Sequence, residues 1–599
     1  MSRSPDALPP PLSSLWRLLK LGHRAEPGMM SVSFALALVA ALPDALLAVW
    51  LMLLGKGLIA GDARLVLAAA VLLGVSAAAT WFLSVISARV QRRFRDKVTI
   101  ALEAHVARLQ AKVATIAHQE RPEYLDRIAM LRSQVFVLDH MYMSVFTTCA
   151  WLLRLAVVVV LLVRVDPALA LLAVFALPIV FTSSWRPGVE RAVEERVAQS
   201  GRLARHLFTL AASAPPGKDV RVARIGERLV ADRRQAWESW YAPVAAARVT
   251  SALWHALAWA VFGSAYVGAI VYVSTALHAP PEIVLLVLAA GSRLSFYVGA
   301  AVGEIGFLRG FWIEGSRRLA WLEDYAASVA ESAVEPAPAR VEQGIRLEGV
   351  SFAYPGSERL VLDSVDLSLP RGAVVALVGE NGAGKSTLVK LLCKLYEPTA
   401  GRILIDGAPL ARIRAEDWRA RLAGAFQDFF RFELPARQSV GVGDLARLDD
   451  VPAVTAAVAR AGADDVVARL PGGLDTQLGP TWPGGVEVSF GQWQKLALAR
   501  GFMREAPLLL ILDEPTAALD AETEHALFER YAGALRGPGA PRDGRITILV
   551  SHRFSTVRMA DLIVVLDAAR VAEVGTHEEL MARRGPYAEL YEVQAAAYR

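Results

Sequence analysis

Residues 374–386 read VVALVGENGAGKS, and this stretch decides the fold of the second half of the chain. An apolar run, 374–378, stands directly before the motif Gly379-Glu380-Asn381-Gly382-Ala383-Gly384-Lys385-Ser386, which has the spacing G-x-x-x-x-G-K-[ST]. From Thr387 to Lys394 the pattern is helical, so the motif lies between a strand and a helix. Such a loop points backbone N–H groups at phosphate oxygens. The stretch therefore predicts a nucleotide site, with Lys385 at the β- and γ-phosphates and Ser386 on Mg²⁺.

The sequence around this loop has the pattern of an α/β domain. Short apolar runs at 403–405, 508–512 and 546–550 alternate with helical patterns from residue 345 onward. Strands that alternate with helices indicate a largely parallel sheet. We therefore expect one ATPase domain over residues 345–599.

A second apolar run ends in two carboxylates. Residues 508–512 read LLLIL, and Asp513 and Glu514 follow them. Ligands of such sheets bind at the carboxyl ends of the strands, so both side chains are expected at the nucleotide. We expect Asp513 to hold Mg²⁺ and its waters, and Glu514 to act as general base on the attacking water.

The first half of the chain is far more apolar than the second. Of 599 residues, 54% are hydrophobic and only 21% are charged. A helix needs about 20 apolar residues to cross a membrane. Six buried helices of a soluble protein are the alternative, but six runs of this length favour a transmembrane domain over 29–325. The predicted spans cover residues 31–54, 65–88, 141–163, 167–185, 250–275 and 283–307.

Basic residues predict the orientation of the spans. The two connections at 89–140 and 186–249 carry ten and twelve Lys or Arg residues, whereas the three opposite connections carry only Lys56, Arg64 and Arg164. Lys and Arg are retained on the cytoplasmic side. Both termini, including the segment 1–28 in which no signal peptide is evident, and the ATPase domain are therefore expected in the cytosol.

The two inner connections are long and helical. Residues 89–140 contain no Gly and a single Pro, at 122, and a helical hairpin of this length has arms of roughly 35–40 Å. The proline predicts a short transverse helix at 121–127, and Pro215-Pro216-Gly217 predicts another at 218–224. A polar segment with two prolines, 326–344, is expected to be a linker.

Charge and cysteine content exclude other classes of protein. The mean hydropathy is +0.37 and only 21% of the residues are charged, so neither a disordered chain nor a nucleic-acid-coating protein is indicated, because both need dense charge, and no nucleic-acid partner is expected. Cys149 and Cys393 have no metal-type spacing, and no disulfide framework is expected.

One further motif carries a family resemblance. Residues 488–492 read VSFGQ, which resembles the Leu-Ser-Gly-Gly-Gln signature of ATP-binding cassette (ABC) transporters. Together with the phosphate loop and the six spans, the chain resembles the exporter-type fused half-transporters of that family over nearly its whole length. The resemblance implies a multidomain protein of a bacterial inner membrane. Its all-α six-helix transmembrane domain, with long cytosolic helical extensions, precedes an α/β P-loop ATPase domain with the ABC signature.

The resemblance also implies a dimer that shares its ATP sites. In the family, the signature of one subunit closes over ATP held by the phosphate loop of the other, which assigns Ser489, Gly491 and Gln492 to nucleotide binding. Asp520 would cross the dimer interface. The two inner tips at 121–127 and 218–224 would be coupling helices that seat in grooves of the ATPase domains.

Further roles in the ATP site follow from the same resemblance. Tyr354 would stack on adenine, and Thr387 would belong to the phosphate loop. Gln427 would contact Mg²⁺ or the attacking water, and His552 would contact the γ-phosphate.

The signature departs from the family at its first glycine, which is Phe490 here. A bulky side chain is tolerated if it points away from the nucleotide, and otherwise weakens the site. A weakened site would favour a heterodimer with a different half-transporter. A homodimer is favoured over that alternative, because Glu514 and His552 are both present.

Charged residues within spans are candidates for cargo binding, because charge in a membrane is costly. Arg293 and Glu304 are eleven residues apart and share a helix face. Structural ion pairs between helices are the alternative. The candidates are Asp44, Arg154, Arg293 and Glu304.

The combined features predict an ATP-driven exporter of an amphipathic small molecule, peptide or lipid, which works by alternating access with ATP and Mg²⁺. Two alternatives stay open. One is an exporter-shaped importer of a hydrophilic compound, and the other is a membrane-bound regulatory ATPase without cargo.

Overall fold

The computed structural model describes residues 8–135, 138–213, 216–308, 313–514, 544–551 and 554–597. The chain divides into two compact units. The first contains Met1–Gln110 and Arg127–Tyr325, and the second contains Ala111–Asp126 and Ala326–Arg599. Two predicted site residues, Asp520 and His552, lie outside the described residues.

The first unit is helical, and six of its helices or helix runs are long and apolar enough to cross a membrane. Each predicted span lies within one of them, so the predicted six-helix architecture is confirmed. Proline residues at 27, 167 and 281 begin three of the six segments. Proline is tolerated in a first helical turn because the N–H group that it lacks would have no acceptor within the helix. The six are Pro27–Ala60, Ala63–Ala111, His140–Val165, Pro167–Arg196, Gly226–Ala276 and Pro281–Phe307.

These long segments are built from shorter pieces where the sequence interrupts them. The helices of the first unit and of the segment that joins the units are Pro11–Ala25, Pro27–Val39, Leu42–Ala45, Leu47–Ala60, Ala63–Ala111, Pro122–Val135, His140–Val165, Leu171–Phe175, Leu177–Arg196, Ala198–Ala212, Gly217–Val222, Gly226–Val271, Pro281–Phe307 and Ile313–Ser328. Single turns of 3₁₀-helix occur at Ala117–Glu120 and Pro167–Ala170, and a π-helical turn occurs at Tyr272–Ala276.

The longest apolar helix exposes its hydrophobic side chains. In Ala63–Ala111, Leu67 is 67% exposed and Trp81 is 71% exposed. A helix of a soluble protein would bury such residues against a core. The exposed apolar surface therefore fits a lipid environment.

Two helices extend far beyond the thickness of a membrane. Ala63–Ala111 has 49 residues and Gly226–Val271 has 46, which corresponds to lengths of about 70 Å. A hydrocarbon core is only about 30 Å thick. The predicted long helical extensions are thus present.

The two helical tips differ in their agreement with the prediction. A short helix, Gly217–Val222, lies where one was expected. At the other tip the prediction of a short transverse helix at 121–127 is wrong, because the helix that Pro122 begins is longer and runs to Val135. The break in the chain falls earlier, at the turn Ala117–Glu120.

The second unit contains two β-sheets. The strands are β1 Gly344–Ala353, β2 Leu360–Pro370, β3 Val374–Val378, β4 Ala400–Ile405, β5 Ala408–Pro409, β6 Leu422–Ala425, β7 Leu509–Asp513, β8 Ile546–Val550, β9 Leu562–Asp567 and β10 Arg570–Gly575. A six-stranded sheet has the order β10-β9-β3-β8-β7-β6, and a four-stranded antiparallel sheet has the order β2-β1-β4-β5. Strands β9, β3, β8, β7 and β6 run parallel to one another, and β10 pairs antiparallel with β9 at one edge of the larger sheet.

Helices cover this sheet and bury its central strands. Every residue of β7 and β8 is buried, as expected for strands covered on both faces. The predicted α/β ATPase fold is confirmed. The helices of this part are Lys385–Leu392, Ala415–Arg419, Ala436–Gly441, Val451–Arg460, Asp464–Arg469, Phe490–Gly501, Phe554–Val557, His577–Arg583 and Pro586–Ala597, with 3₁₀ turns at Leu410–Arg412, Leu445–Arg447 and Gly473–Asp475.

The segment Ala111–Asp126 belongs to this second unit. The Ile116 amide donates to the Leu395 carbonyl at 3.0 Å, and Ile116 packs against the hydrophobic core of the unit. The Arg419 guanidinium donates to the Ala114 carbonyl, and the Tyr396 hydroxyl donates to Glu120. The segment is therefore held by both main-chain and side-chain hydrogen bonds.

Residues 326–344 are also fixed to the second unit. The buried Lys394 ammonium donates to the Glu331 carboxylate, and the Ala415 amide donates to both oxygens of that carboxylate at 3.0 Å. The Asp406 carboxylate accepts three backbone N–H groups from 342–344 at 2.7–2.9 Å. This polar stretch is thus ordered along the ATPase unit.

Candidate nucleotide-binding site

The sheet order brings the predicted site residues to one edge. Strands β3, β8, β7 and β6 are neighbours and parallel, so their carboxyl ends lie side by side. The phosphate loop follows β3, Asp513 ends β7 with Glu514 next to it, and Gln427 lies two residues beyond β6. This is the edge at which ligands of parallel sheets bind.

The phosphate loop needs glycine at two tight positions. Gly379 has a φ of 147° and Gly384 has a φ of 102°, in the region that favours glycine. A Cβ atom would stand 2.2 Å from the Leu566 carbonyl oxygen at Gly379 and 2.7 Å from the Val361 carbonyl oxygen at Gly384. The loop therefore passes too close to the backbone of its neighbours for any side chain.

Lys385 and Ser386 begin the helix that follows the loop. The Lys385 ammonium donates to the carbonyl oxygens of Gly379 and Glu380, both at 2.9 Å, so it lies across the mouth of the loop. Burial lowers the pKa of Lys385, and the nearby Glu514 and Asp513 carboxylates oppose that shift. The cation is thus held where phosphate oxygens would bind.

Ser386 and Asp513 form a pair of oxygen ligands. The Ser386 hydroxyl lies 3.5 Å from the Asp513 carboxylate, which is buried. Burial raises the pKa of Asp513, the Ser386 hydrogen bond lowers it, and the neighbouring Glu514 and Asp428 charges raise it. A buried carboxylate beside a hydroxyl has the hard oxygen ligands that Mg²⁺ prefers, so these residues fit the ion.

Glu514 is held in a strained backbone conformation. Its φ is 44°, which is uncommon for a residue with a side chain, and its amide donates to the Val550 carbonyl at 3.0 Å. The Gln427 side-chain amide donates to the Glu514 carboxylate at 2.8 Å. The two residues predicted to handle the attacking water are therefore in direct contact.

Tyr354 lies beside the helix of the phosphate loop. Its hydroxyl is 2.9 Å from the hydroxyl of buried Thr387, and its ring packs edge-on against Phe352 and Tyr396. The Lys390 ammonium lies 5.7 Å from the centre of the same ring. The structure thus brings Tyr354 to the loop, as an adenine-stacking residue requires.

The signature residues form the start of a helix. Ser489 caps Phe490–Gly501, and Ser489 and Gln492 exchange backbone and side-chain hydrogen bonds at 2.8 and 3.3 Å. Ser489, Gly491 and Gln492 make no hydrogen bond to the phosphate loop within the described part of the chain. The structure therefore brings the signature residues to one another but not to the loop of the same chain.

Phe490 points toward the segment that follows Gln427. Its ring packs against Phe429 with the ring centres 5.4 Å apart, and the Arg431 guanidinium lies 5.7 Å from the ring centre. Farther along the same helix, Arg500 donates to the Phe430 carbonyl at 3.1 Å, and burial lowers its pKa to about 10. The signature helix and segment 429–432 thus contact each other at two points.

Sequence reasoning missed Gln494, which ties the signature helix to the catalytic edge. Its side-chain amide lies 3.4 Å from the Glu514 carbonyl oxygen, and the side chain is buried. The available signal was a polar side chain on a buried helix face whose other residues are apolar.

The four charged candidates in the spans are only partly brought together. Asp44 contacts both Arg293 and Arg154, at 2.8 and 3.6 Å. Glu304 instead accepts a hydrogen bond from the Ser144 hydroxyl at 2.8 Å. Arg293 and Glu304 lie on one helix as expected, but each interacts with a different neighbouring helix.

The fold and this site define a nucleotide-binding α/β domain that follows a helical unit with six candidate membrane spans. Residues 362–517 match the family model described as ABC transporter. The fold of the whole chain is that of a solved bacterial Atm1-family ABC exporter with ATP bound, with a TM-score of 0.70 and 24% identity over 97% of this chain and 98% of that one. The chain thus shares the fold of that protein over nearly its whole length.

The sequence relatives of part of the chain include lipid A-core flippases. The ATP-dependent lipid A-core flippase of Ralstonia nicotianae is 42% identical over 259 residues, which is 43% of this chain and 42% of that protein. The flippases of Chromohalobacter salexigens and Alkalilimnicola ehrlichii are 38% and 41% identical over similar lengths. The matched regions are 42%, 42% and 40% of the lengths of the three relatives, so the chain spans about two fifths of each.

Proposed function

We propose that this chain is one half of an ATP-driven exporter of a bacterial inner membrane, and that it moves an amphipathic molecule by alternating access. The observation that carries the proposal is the convergence of Lys385, Asp513 and Glu514 at one sheet edge, in a chain with six candidate membrane spans. The lipid A-core flippases among the relatives make a lipid the first cargo to test.

The site supports ATP hydrolysis by a general-base route. Lys385 would bind the β- and γ-phosphates, and Ser386, Asp513 and Gln427 would hold Mg²⁺, which supplies charge neutralisation on the phosphates when it is bound. The Gln427 amide donates to the Glu514 carboxylate, and this contact supports a role for Glu514 as the base that would polarise the attacking water. Tyr354 would stack on the adenine, and His552 would contact the γ-phosphate.

The complete ATP site would form between two copies of this chain. Ser489, Gly491 and Gln492 contact each other rather than the phosphate loop of their own chain, so a second chain is needed to complete the site. A homodimer is proposed because this chain carries the glutamate, the phosphate loop and the signature together. Asp520 is proposed to lie at the interface of the two ATPase domains.

The proposed orientation places both termini and the ATPase domain in the cytosol. The 22 basic residues of the two inner connections, against three outside, support it. The unit of residues 29–325 would carry the cargo pathway, and that of 345–599 would carry the motor.

Transport in inverted membrane vesicles tests this function. Vesicles that contain the chain should move a fluorescent lipid A-core probe from the ATP-facing leaflet to the lumenal leaflet when ATP is added. Vesicles with Glu514→Gln should bind ATP but leave the probe in place. Movement of the probe in the opposite direction would favour an importer, and ATP hydrolysis without movement would favour a regulatory ATPase.

The oligomeric state needs a separate measurement. The purified chain, alone in lipid nanodiscs, should hydrolyse ATP and form an ATP-trapped dimer when Glu514→Gln blocks hydrolysis. A lone chain that neither hydrolyses ATP nor dimerises would contradict the homodimer and favour a different half-transporter as partner.

A further inference from the structure

Three charged residues of three separate spans meet in the membrane unit. The Asp44 carboxylate accepts a hydrogen bond from Arg293 at 2.8 Å and another from the Tyr297 hydroxyl at 2.7 Å. The Arg154 Nε atom lies 3.6 Å from the same carboxylate. We call these three residues, Asp44, Arg154 and Arg293, the charge cluster.

The charge cluster lies near the middle of the predicted membrane. Asp44 stands close to the centre of Pro27–Ala60, Arg154 close to the centre of His140–Val165, and Arg293 close to the centre of Pro281–Phe307. Charges at this depth are costly and are kept where they serve a function. A purely structural pair would need only one cation for each anion.

The charge cluster carries more positive than negative charge. Two guanidinium groups face one carboxylate, and arginine stays protonated in proteins. Glu304 does not balance the excess, because it is eleven residues from Arg293, about 16 Å along the helix, and is hydrogen-bonded to Ser144. Within the described residues, one positive charge of the charge cluster therefore has no acidic partner.

Donor groups of the charge cluster are available to a ligand. The Arg293 side chain is 41% exposed in the single chain, although one of its nitrogens is bonded to Asp44. The Nε atom of Arg154 is buried facing Asp44 and has no hydrogen-bond acceptor, so the Arg154 charge is only loosely compensated. A planar guanidinium with spare N–H groups binds phosphate or carboxylate through two parallel hydrogen bonds.

Aromatic surface adjoins these donors. The Arg154 guanidinium lies over the Trp151 ring at 4.4 Å, and Trp151 packs edge-on against Phe296 at 5.5 Å. Phe296 is 57% exposed. A ligand with an anionic head and an apolar chain matches this combination of charge and aromatic surface.

We propose that the charge cluster binds the anionic head group, a phosphate or a carboxylate, of an amphipathic cargo. The proposal rests on the export function proposed above and assigns its substrate class. Arg293 and Arg154 supply the attraction, which is strong because water is scarce at this depth. Asp44 holds the two guanidiniums in position and competes with the head group, so that the cargo can leave. Asp44, Arg154 and Arg293 are therefore binding residues, and Glu304 is not.

Opposite effects of two substitutions test the proposal. The purified chain in phosphatidylcholine nanodiscs is titrated with phosphatidic acid, a fatty acid or diacylglycerol, which carry a phosphate, a carboxylate or no charge on similar chains. The readouts are the half-saturating lipid fraction for ATPase stimulation and the binding of a fluorescent phosphatidic acid. Arg293→Gln should raise the half-saturating fraction of phosphatidic acid at least tenfold, whereas Asp44→Asn should lower it at least threefold. Diacylglycerol should show no specific effect.

Matched variants separate binding from structure. Arg164→Gln, on the same helix as Arg154 but outside the charge cluster, should leave every titration unchanged, and Arg293→Lys should retain most of the binding. A structural ion pair predicts that Arg293→Gln and Asp44→Asn both weaken binding and stability, and that result would overturn the proposal. If Asp44→Asn does not fold, Arg154→Gln provides the second test, since unchanged anion binding in Arg154→Gln and Arg293→Gln would also overturn it.

The outcomes distinguish this inference from the export function. Basal ATPase activity that is lost in Glu514→Gln, with no preference for an anionic lipid, would refute the inference alone. Specific binding of phosphatidic acid without any ATP-driven movement would refute the export function instead. A preference for the phosphate or for the carboxylate probe identifies the head group.

Discussion

At the scale of single residues, Glu514 combines three constraints. Its φ is 44°, its carboxylate accepts a hydrogen bond from Gln427, and its carbonyl oxygen lies 3.4 Å from the Gln494 amide. Strained backbone persists where the surroundings fix it, often at catalytic positions. The backbone and the side chain of Glu514 are thus both fixed by their surroundings.

Glu514→Gln should abolish hydrolysis without abolishing ATP binding. A positioned general base contributes about 10²–10⁴-fold to a rate, so we expect kcat to fall by at least about 100-fold. Phosphate release and equilibrium ATP binding measure the two effects. A variant that keeps a tenth or more of the wild-type kcat would show that another group activates the water.

Phe490 stands where the family signature has a glycine, and its contacts are with the segment that follows Gln427. The ring packs against Phe429 and the Arg431 guanidinium, and about half of the Phe490 surface is exposed. The ring therefore links the signature helix to the segment after Gln427.

Phe490→Ala should lower stability more than activity. Loss of an aromatic pair costs about 0.5–1.5 kcal/mol, which lowers Tm by a few degrees in a domain of this size. We expect the ATPase rate in nanodiscs to stay within about threefold of wild type. A rate that rises tenfold or more would instead show that the ring obstructs the site.

The sequence predicted a residue's place in the fold where one local motif carries it. Lys385, Ser386 and Asp513 each come with their own strand and loop, so their positions follow from short patterns. The contact of Gln427 with Glu514 depends on β6 lying beside β7, and Asp44 meets Arg293 across 249 residues of sequence. No local pattern encodes such distant pairings.

At the scale of elements, two helices of the second unit begin with the same cap. Ser489 and Gln492 cap Phe490–Gly501, and Thr576 and Glu579 cap His577–Arg583. In each, a hydroxyl accepts a backbone N–H and the glutamine or glutamate side chain accepts one in return. Only the first cap contains residues assigned to the nucleotide.

Ser489→Ala and Thr576→Ala should therefore differ in activity but not in stability. Each substitution removes a capping hydroxyl, which costs about 1 kcal/mol. Thermal unfolding should show similar losses, whereas only Ser489→Ala should reduce the ATPase rate. Equal ATPase rates in the two variants would mean that Ser489 serves the helix and not the nucleotide.

The segment Ala111–Asp126 contains a buried histidine. His118 packs edge-on against Tyr124 at 4.8 Å, and burial lowers its pKa below the ordinary value. A histidine with a lowered pKa is stabilised in its neutral form, so its contribution is present above about pH 6.5 and is lost as the pH falls. The fit of this segment to the second unit should weaken in acid.

Hydrogen exchange measures this pH dependence. The exchange rates are first corrected for the intrinsic rates. The protection factors of the amides of 111–126, including the Ile116 amide that donates to Leu395, should then be constant above pH 7 and fall below about pH 6. His118→Gln removes the titrating group and should make the protection independent of pH. Equal acid sensitivity in both proteins would assign the effect to another group.

Element boundaries were predicted from sequence where proline or apolar length decides them. All six spans and the parallel strands have strong local signals, and they appear in the structure. The first helical tip was misplaced because Pro122 can either end one helix or begin the next, and here it begins Pro122–Val135. That choice depends on packing against distant residues such as Tyr396.

At the scale of the whole molecule, the proposed function requires an ATP site and a membrane pathway in the same protein. The described residues provide an ATP site that a second chain would complete, and a charge cluster among three spans with one positive charge in excess. An exporter needs both parts to act together, since hydrolysis alone moves nothing and binding alone has no direction.

The most direct test is ATP-driven movement of an anionic lipid by this chain alone. Proteoliposomes reconstituted from the purified chain, with the ATPase domain outside, should transfer fluorescent phosphatidic acid from the outer to the inner leaflet when ATP and Mg²⁺ are added. The initial rate should fall at least about 100-fold in Glu514→Gln, in step with hydrolysis. ATP hydrolysis at the wild-type rate with no transfer, or transfer that persists in Glu514→Gln, would contradict the account.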